Sequence, residues 1–276
     1  MKIINPINPA RFIKNTKPII TNVAQGDTRK LCSFVVPENK FGNLYLDVKM
    51  PKAGYGHNFI TELRNRFDKL MGYEEFAYFE GSPNMSGLFI RVNDEYKQKG
   101  FNFGEILRLS SIIEIMENKV KNFEIISKDT AIYFHAKYKF TPNLAFSDRD
   151  KFLKTLSGDK SNGYEKFSQK AQDLADKLKI AKENADIPQQ RKICAETNEV
   201  LGEYLDKVIA EKSQKQHPIN YTMPMTLTDE NIMKNKDFFI SDVNKIDRDL
   251  LIFDKLITFY IERNVDALLE KILQKF

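Results

Sequence analysis

A loop rich in glycine and aromatic residues is the first segment whose residue types suggest chemistry. It covers residues 99–104 (KGFNFG), between a strand-like run that ends at Val92 and a helix-like run that begins at Glu105. Backbone N–H groups at the start of a helix converge on a small volume, and the helix dipole favours negative charge there. Gly100 and Gly104 let the chain turn tightly and let a ligand approach the backbone. The pattern predicts a diphosphate-binding loop, and the alternative is an ordinary strand-to-helix turn.

A second segment, residues 131–140 (AIYFHAKYKF), lies about thirty residues further along and is rich in aromatic side chains. The sequence predicts a short helix over its first part. His135 lies in this helix, and an imidazolium group can donate a proton or a hydrogen bond. Tyr138 shares the helical face of His135, whereas Tyr133 does not. We interpret the segment as a helix that covers the other side of the same ligand.

The loop resembles a motif of the GNAT superfamily of N-acetyltransferases. The family's signature, Arg/Gln-x-x-Gly-x-Gly/Ala, corresponds to residues 99–104. Lys99 stands at the Arg/Gln position and keeps the charge, and Asn102 stands at the position of the inner glycine. Asn tolerates a left-handed backbone conformation better than most residues. Leu107 occupies the usual apolar position of the helix that follows.

The second segment resembles the family's later motif, Asn-x-x-Ala-x-x-Phe-Tyr-x-Lys-x-Gly-Phe. Four positions carry the family's residue, namely Ala131, Phe134, Lys137 and Phe140. Three positions differ, with Lys128 for Asn, His135 for Tyr and Lys139 for Gly. The resemblance covers roughly residues 31–145, together with a final strand over residues 219–227.

The resemblance implies an α+β fold, with a mixed, mostly antiparallel central sheet flanked by helices. It implies transfer of an acetyl group from acetyl-CoA to the amine of a small molecule or peptide, by direct attack in a ternary complex. Two adjacent parallel strands splay apart, and the pantetheine amides bond to the exposed strand edge. The residues implied to contact acetyl-CoA are Val92, Lys99, Gly100, Phe101, Asn102, Phe103, Gly104, Glu105, Ala131 and Phe134.

The resemblance also implies catalytic roles. In many relatives the tyrosine of the later motif protonates the departing thiolate, and this chain has His135 there. His135 either donates that proton or only packs against the cofactor, and Tyr133 and Tyr138 are alternative donors. Glu80 and Asp94 are the candidate bases that take a proton from the amine, and a water relay is the alternative to both.

A second hypothesis is a catalytically inactive GNAT-like module that acts as a binding partner or scaffold through its helical extension. Asn102 and His135, the two departures nearest the expected chemistry, favour it. A third hypothesis, nucleic-acid binding, rests on the net charge of +5. No basic stripe with interleaved aromatic residues supports it, so we expect no nucleic-acid partner.

The composition is that of a folded protein, with 42% hydrophobic and 29% charged residues. No apolar run approaches the roughly 20 residues that span a bilayer, so we expect no membrane partner. Cys32 and Cys194 lie far apart and the three histidines are scattered, which predicts no metal site. Two unpaired cysteines also favour a reduced, cytoplasmic protein.

Apolar patterning predicts the elements that position the two segments. Strands are predicted at residues 33–36, 44–48, 75–80, 87–92, 123–126, 139–144 and 219–227. The turn at residues 81–84 makes the third and fourth of these an antiparallel hairpin. Phe59, Leu63, Phe67 and Leu70 recur at helical spacing and predict an amphipathic helix that ends at Gly72. A further helix follows the glycine loop.

The chain becomes charged and helical between residues 148 and 215. One predicted apolar stripe comprises Phe167, Ala171, Leu174, Leu178 and Ala181, and another comprises Ile193, Thr197, Val200, Tyr204 and Val208. Asp186, followed by Pro188, predicts the start of the second helix. We interpret these helices as an inserted hairpin that could serve as a homodimer surface.

The predicted organisation has four parts. They are an irregular leader (1–30), an acyl-CoA-binding core (31–146), the helical hairpin (147–216), and a final strand with C-terminal helices (217–276). In the last part a helix is predicted to start at Thr228, and residues 250–276 carry a second apolar helical stripe.

Overall fold

A computed structural model of the chain shows a mixed α+β protein in which mostly antiparallel β-sheet is flanked by helices. It describes residues 28–35, 43–49, 58–65, 67–79, 82–97, 103–117, 120–129, 131–144, 149–219, 221–235 and 237–238. The chain forms two compact units, Met1–Phe123 with Thr228–Phe276 and Glu124–Leu227. The α+β class and the mostly antiparallel sheet predicted from the sequence are confirmed.

The described strands of the first unit follow one another in the sheet, each antiparallel to the next. They are β1 (Thr28–Val35), β2 (Asn43–Lys49), β3 (Asn58–Asn65), β4 (Leu70–Tyr78) and β5 (Asn84–Val92). The two predicted N-terminal strands and the predicted hairpin, which is formed by β4 and β5, are confirmed.

The predicted amphipathic helix with Phe59, Leu63 and Phe67 on one face is wrong, because this segment forms β3 and the turn before β4. A spacing of four residues is even, so Phe59 and Leu63 share a face in a strand as well as in a helix. Thr61, midway between them, is also fully buried, as the two-residue period of a strand requires. Phe67 is 68% exposed, and Gly72 lies inside β4 rather than at a helix end.

Helix α1 (Phe103–Glu117) packs on β3, β4 and β5 and confirms the helix predicted after the glycine loop. Leu107, Ile112 and Ile115 are fully buried in this contact. The close approach of α1 to β4 depends on Gly72, where a Cβ atom would lie 3.1 Å from Leu107 Cδ1 and 2.8 Å from the Arg91 carbonyl oxygen. Any larger residue would force the helix and the strand apart.

Three further strands are β6 (Asn122–Lys128), β7 (Thr141–Pro142) and β8 (Thr222–Thr228). The chain passes from the first unit into the second within β6. In the second unit β8 lies between β6 and β7 and is antiparallel to β7. The predicted strands at residues 123–126 and 219–227 are confirmed, and the one at residues 139–144 is confirmed for two residues.

The helices of the second unit are α2 (Ala131–Lys137), α3 (Arg149–Ser157), α4 (Glu165–Glu183) and α5 (Ile187–Ala210). Every residue of the two predicted apolar stripes is buried in α4 and α5. Asp186 caps α5 as predicted, because its carboxylate accepts a hydrogen bond from Gln189 N over 2.9 Å. The charged segment contains a third helix, α3, beyond the predicted hairpin.

Helix α6 (Asp229–Lys234) follows β8, and Thr228 caps it by accepting a hydrogen bond from Asn231 N over 3.0 Å. This confirms the predicted helix start at Thr228. The predicted leader up to residue 27 and the C-terminal stripe at residues 250–276 lie outside the described residues. The predicted domain bounds stay a prediction.

Candidate functional site

The end of β5 is firmly held in the first unit. Val92, its last residue, is half-buried and lies opposite Gly72 in β4. Asn93 continues the attachment, because its backbone N–H donates to Met71 O over 2.9 Å and its side-chain Nδ2 donates to Leu70 O over 2.7 Å. The point from which the chain leaves the sheet toward the glycine loop is therefore fixed by main-chain and side-chain bonds.

Asp94, one of the two candidate bases, begins a 3-10 turn, Asp94–Tyr96, directly after β5. Its carboxylate is exposed and lies 2.6 Å from Lys97 Nζ. The hydrogen bond from Lys97 lowers the pKa of Asp94 below its ordinary value, which makes the carboxylate a weaker proton acceptor. Glu80, the other candidate, lies outside the described residues, as do Lys99, Gly100, Phe101 and Asn102 of the loop.

The two ends of the glycine loop meet through aromatic side chains. Tyr96 at the entry and Phe103 at the exit are 6% and 3% exposed, and their rings pack edge to face with centroids 6.3 Å apart. Phe103 is the first residue of α1, and Gly104 and Glu105 are half-buried in its first turn. Described residues on either side of the loop are therefore in contact at the N-terminal end of a 15-residue helix, whose first-turn N–H groups have no acceptor within the helix.

A buried polar cluster holds α1 against β4. Arg108 Nη1 donates to Glu74 Oε1 over 2.9 Å, and the Ser111 hydroxyl donates to the other carboxylate oxygen. Glu74 is fully buried, and this desolvation raises its pKa against the opposing effects of Arg108 and Ser111. The Arg108 guanidinium also lies over the Phe123 ring, 5.5 Å from its centroid. These contacts fix the helix that begins at the loop.

The later motif forms helix α2 in the second unit. Ala131 and Phe134 are half-buried, and His135 is only 5% exposed. The His135 ring packs against Phe134 and Phe140, with centroids 5.2 and 5.6 Å away. The structure thus brings His135, Phe134 and Phe140 together in an aromatic cluster.

The helix ends at the position where the family's motif has glycine. Lys139 adopts a left-handed backbone conformation with φ of 65°. Lys139 N donates to the Ala136 carbonyl oxygen over 2.9 Å and Phe140 N donates to the His135 carbonyl oxygen over 3.3 Å, which are the two hydrogen bonds of a glycine-type helix end. The turn that glycine would make most easily is therefore present in this chain, with lysine at its strained position.

The two alternative proton donors occupy different surroundings. Tyr138 is fully buried, and its ring lies 5.3 Å from that of Phe134. Tyr133 is 5% exposed, and its hydroxyl donates to the His217 carbonyl oxygen. Both rings belong to the core of the second unit.

The sequence analysis missed a polar and aromatic cluster around Asp159 and His217, which we call the histidine cluster. Asp159 Oδ2 lies 2.8 Å from His217 Nδ1 and accepts a hydrogen bond from the Tyr204 hydroxyl over 2.9 Å. The Tyr164 ring stacks on His217 with centroids 4.1 Å apart. No local pattern could reveal the cluster, because Asp159 and His217 are 58 residues apart in the chain.

The predicted site residues fall into two groups, one in each compact unit. The first comprises the end of β5, the 3-10 turn and the start of α1, and the second comprises α2.

Within the described residues, no group of three or more histidine, cysteine, aspartate or glutamate side chains is arranged to hold a metal ion. No helix in this part of the chain combines the length and apolar character needed to cross a bilayer.

Two comparisons with known sequences find no match for the chain. No protein-family model matches the chain, and no curated protein is similar to it. The GNAT resemblance therefore rests on the residues of the two motifs and stays a prediction.

Proposed function

We propose that this protein transfers an acetyl group from acetyl-CoA to an amine acceptor. The observation that carries the proposal is the loop of residues 99–104, which joins a firmly held strand to the start of a long helix. The packing of Tyr96 against Phe103 brings the described residues on either side of the loop together at the N-terminus of α1, where an anion is favoured. A diphosphate is the part of coenzyme A that such a loop would bind.

The course of the chain after α1 supports the same proposal. Lys121 N and Asn122 N both donate to the Pro83 carbonyl, over 2.8 and 3.0 Å. The first residues of β6 therefore lie beside the first residue of β5, Asn84, as they do when two neighbouring strands are parallel. The resemblance implies a parallel pair at this position, with the cofactor bound along a strand edge.

The conformation of Lys139 is a second, independent support. A left-handed residue at this position explains why the later motif has glycine there. The chain keeps the turn despite the substitution, which agrees with a retained GNAT-like helix end. In the proposed reaction His135 of this helix protonates the departing thiolate, or packs against the cofactor if another group supplies the proton.

The base that deprotonates the amine is the less supported part of the proposal. Lys97 lowers the pKa of Asp94, so Asp94 accepts a proton poorly near neutral pH. We therefore favour Glu80 or a water relay over Asp94 for this step. Attack of the neutral amine on the thioester carbonyl then forms the amide bond and releases coenzyme A as a thiolate, which is protonated.

Replacement of Gly104 by Asp tests the loop assignment. A carboxylate in the first turn of α1 would repel a bound diphosphate and occupy space close to the backbone, so coenzyme A binding should fall below detection. Isothermal titration with coenzyme A measures the affinity, and circular dichroism verifies that the variant is folded. Gly158→Asp is the matched control, because Gly158 is exposed in the second unit and accepts a Cβ at ordinary contact distance.

The control variant should bind coenzyme A like the wild type. A Gly104→Asp protein that is folded and binds coenzyme A as tightly as Gly158→Asp would refute the loop assignment.

An inactive scaffold module is the second candidate. Phe79 and Phe89, in the hairpin of β4 and β5, are 59% and 63% exposed, and exposed aromatic side chains favour contact with a partner. The two candidates differ in a simple measurement. A ligand that binds only the folded protein raises its melting temperature, so the absence of a shift at millimolar coenzyme A would leave the scaffold reading alone.

A further inference from the structure

Tyr133 connects α2 to the loop that follows α5. Its ring is buried, and its hydroxyl donates a hydrogen bond to the His217 carbonyl oxygen. Burial raises the pKa of Tyr133 well above its ordinary value, so the hydroxyl keeps its proton and keeps donating around neutral pH. Tyr133 directly precedes Phe134 and His135, the residues that the proposed function assigns to the cofactor and the leaving group.

His217, which accepts this bond through its backbone, is itself held by its side chain. Its ring nitrogen Nδ1 lies 2.8 Å from Asp159 Oδ2. Tyr164 stacks on one face of the ring, and Tyr204 meets it edge to face at 6.0 Å. Only 3% of the side chain is exposed. The carbonyl that receives the Tyr133 hydroxyl is therefore fixed in position.

Asp159 is the charged group at the base of the histidine cluster. Burial alone would raise its pKa, but hydrogen bonds from Ser161, His217 and Tyr204 lower the pKa to about 2. Its second oxygen accepts from Ser161 N over 3.0 Å. The carboxylate is therefore ionised at any pH at which the protein would be assayed, and it holds the ring and the Tyr204 hydroxyl at once.

Helix α2 needs such an external attachment. It has seven residues, or two turns, and isolated helices of that length are unstable in water. Its orientation must therefore come from tertiary contacts. The Tyr133 hydroxyl supplies a directed one, which fixes rotation about the helix axis in a way that apolar packing alone does not.

We propose that Tyr133 is a positioning residue of the acetyl-transfer site, which orients Phe134 and His135 through the Asp159–His217 pair. The proposal rests on the proposed function for its consequence in catalysis. The structural part of the proposal is that the Tyr133 hydroxyl sets the position of the His135 ring. The position of this ring can be measured without any ligand.

Tyr133→Phe removes the hydroxyl and keeps the ring, and Tyr164→Phe is the matched control. Tyr164 belongs to the same cluster, but its hydroxyl forms hydrogen bonds with Glu211 and Ser213 and takes no part in the Tyr133–His217 hydrogen bond that attaches α2. The chain has three histidines, so an NMR spectrum of protein with isotope-labelled histidine contains few ring signals. The signals that disappear in His135→Gln belong to His135. Tyr133→Phe should move the His135 ring signals, and Tyr164→Phe should leave them unchanged.

The same variants are then titrated with coenzyme A. Loss of one buried hydrogen bond in Tyr133→Phe should weaken binding about fivefold, and Tyr164→Phe should bind like the wild type. If Tyr133→Phe does not fold, Asp159→Asn loosens the other end of the same connection and should move the His135 signals in turn.

Unmoved His135 signals in a folded Tyr133→Phe or Asp159→Asn protein, or equal shifts in Tyr164→Phe, would overturn the proposal. A wild-type protein that does not bind coenzyme A would refute the proposed function but not the positioning role, which the ligand-free spectra decide.

Discussion

Gly72 shows how one residue determines the packing of the first unit. A Cβ at this position would lie 2.8 Å from the Arg91 carbonyl oxygen and 3.1 Å from Leu107 Cδ1. The first contact is with the backbone of the neighbouring strand, which cannot move without disturbing the sheet. The second is with the helix that carries the proposed loop at its N-terminus. The packing of both β5 and α1 against β4 therefore requires that residue 72 has no side chain.

Gly72→Ala should destabilise the protein by about 1–3 kcal/mol, because it overpacks the contact between α1, β4 and β5. Gly202→Ala is the matched control. Gly202 lies inside α5, and its added Cβ would lie 3.9 Å from Pro142 Cδ, an ordinary contact. Alanine in a helix interior is favoured over glycine by about 1 kcal/mol, so this variant should be more stable than the wild type. Urea denaturation measures both changes, and a neutral or stabilising Gly72→Ala would contradict the packing described here.

Local sequence patterns predicted an element correctly only where the apolar residues fitted a single period, either that of a helix or that of a strand. The buried positions of the predicted stripes in α4 and α5 recur every three or four residues over about four helical turns, and this pattern excludes a strand. The spacing of Phe59 and Leu63 fits the period of a helix and the period of a strand. In the described part of this segment, no third buried apolar residue lies near them that would distinguish the two. Thr61 decides in the structure, but a buried threonine cannot be recognised from its type.

The same limit applies to the candidate site. The strand before residues 99–104 and the helix after them were predictable because each is a contiguous segment with its own apolar pattern. The histidine cluster was not, because Asp159, Tyr164, Tyr204 and His217 come from separate segments that only tertiary folding brings together. Tyr204 was expected in an apolar stripe, and its hydroxyl had no predicted partner.

The C-terminal end of α2 offers a test at the scale of one element. The backbone of Lys139 is strained at φ of 65°, and glycine adopts this conformation without strain. Lys139→Gly should therefore stabilise the protein by about 1 kcal/mol. Lys128→Gly is the control, because Lys128 is exposed in β6, where glycine should destabilise by about 0.5–1 kcal/mol. Melting temperatures report both changes. A Lys139→Gly protein that melts below the wild type would show that the left-handed turn is not the strained feature we describe.

At the scale of the whole molecule, each of the two compact units contains one of the two motifs on which the resemblance rests. The first carries the loop and the helix that would bind a diphosphate, and the second carries α2 with His135. The buried Glu74–Arg108 pair fixes α1 in the first unit, and the Tyr133–His217 bond attaches α2 in the second. Both motif helices are thus anchored by buried polar contacts as well as by apolar packing.

Titration of the wild-type protein with coenzyme A, followed by calorimetry, tests the central claim most directly. We expect saturable binding at one site per chain. We expect free pantetheine, which lacks the diphosphate together with the adenosine 3′-phosphate of coenzyme A, to bind far more weakly. Equal binding of the two ligands, or no heat of binding at millimolar coenzyme A, would contradict the claim that residues 99–105 hold a diphosphate.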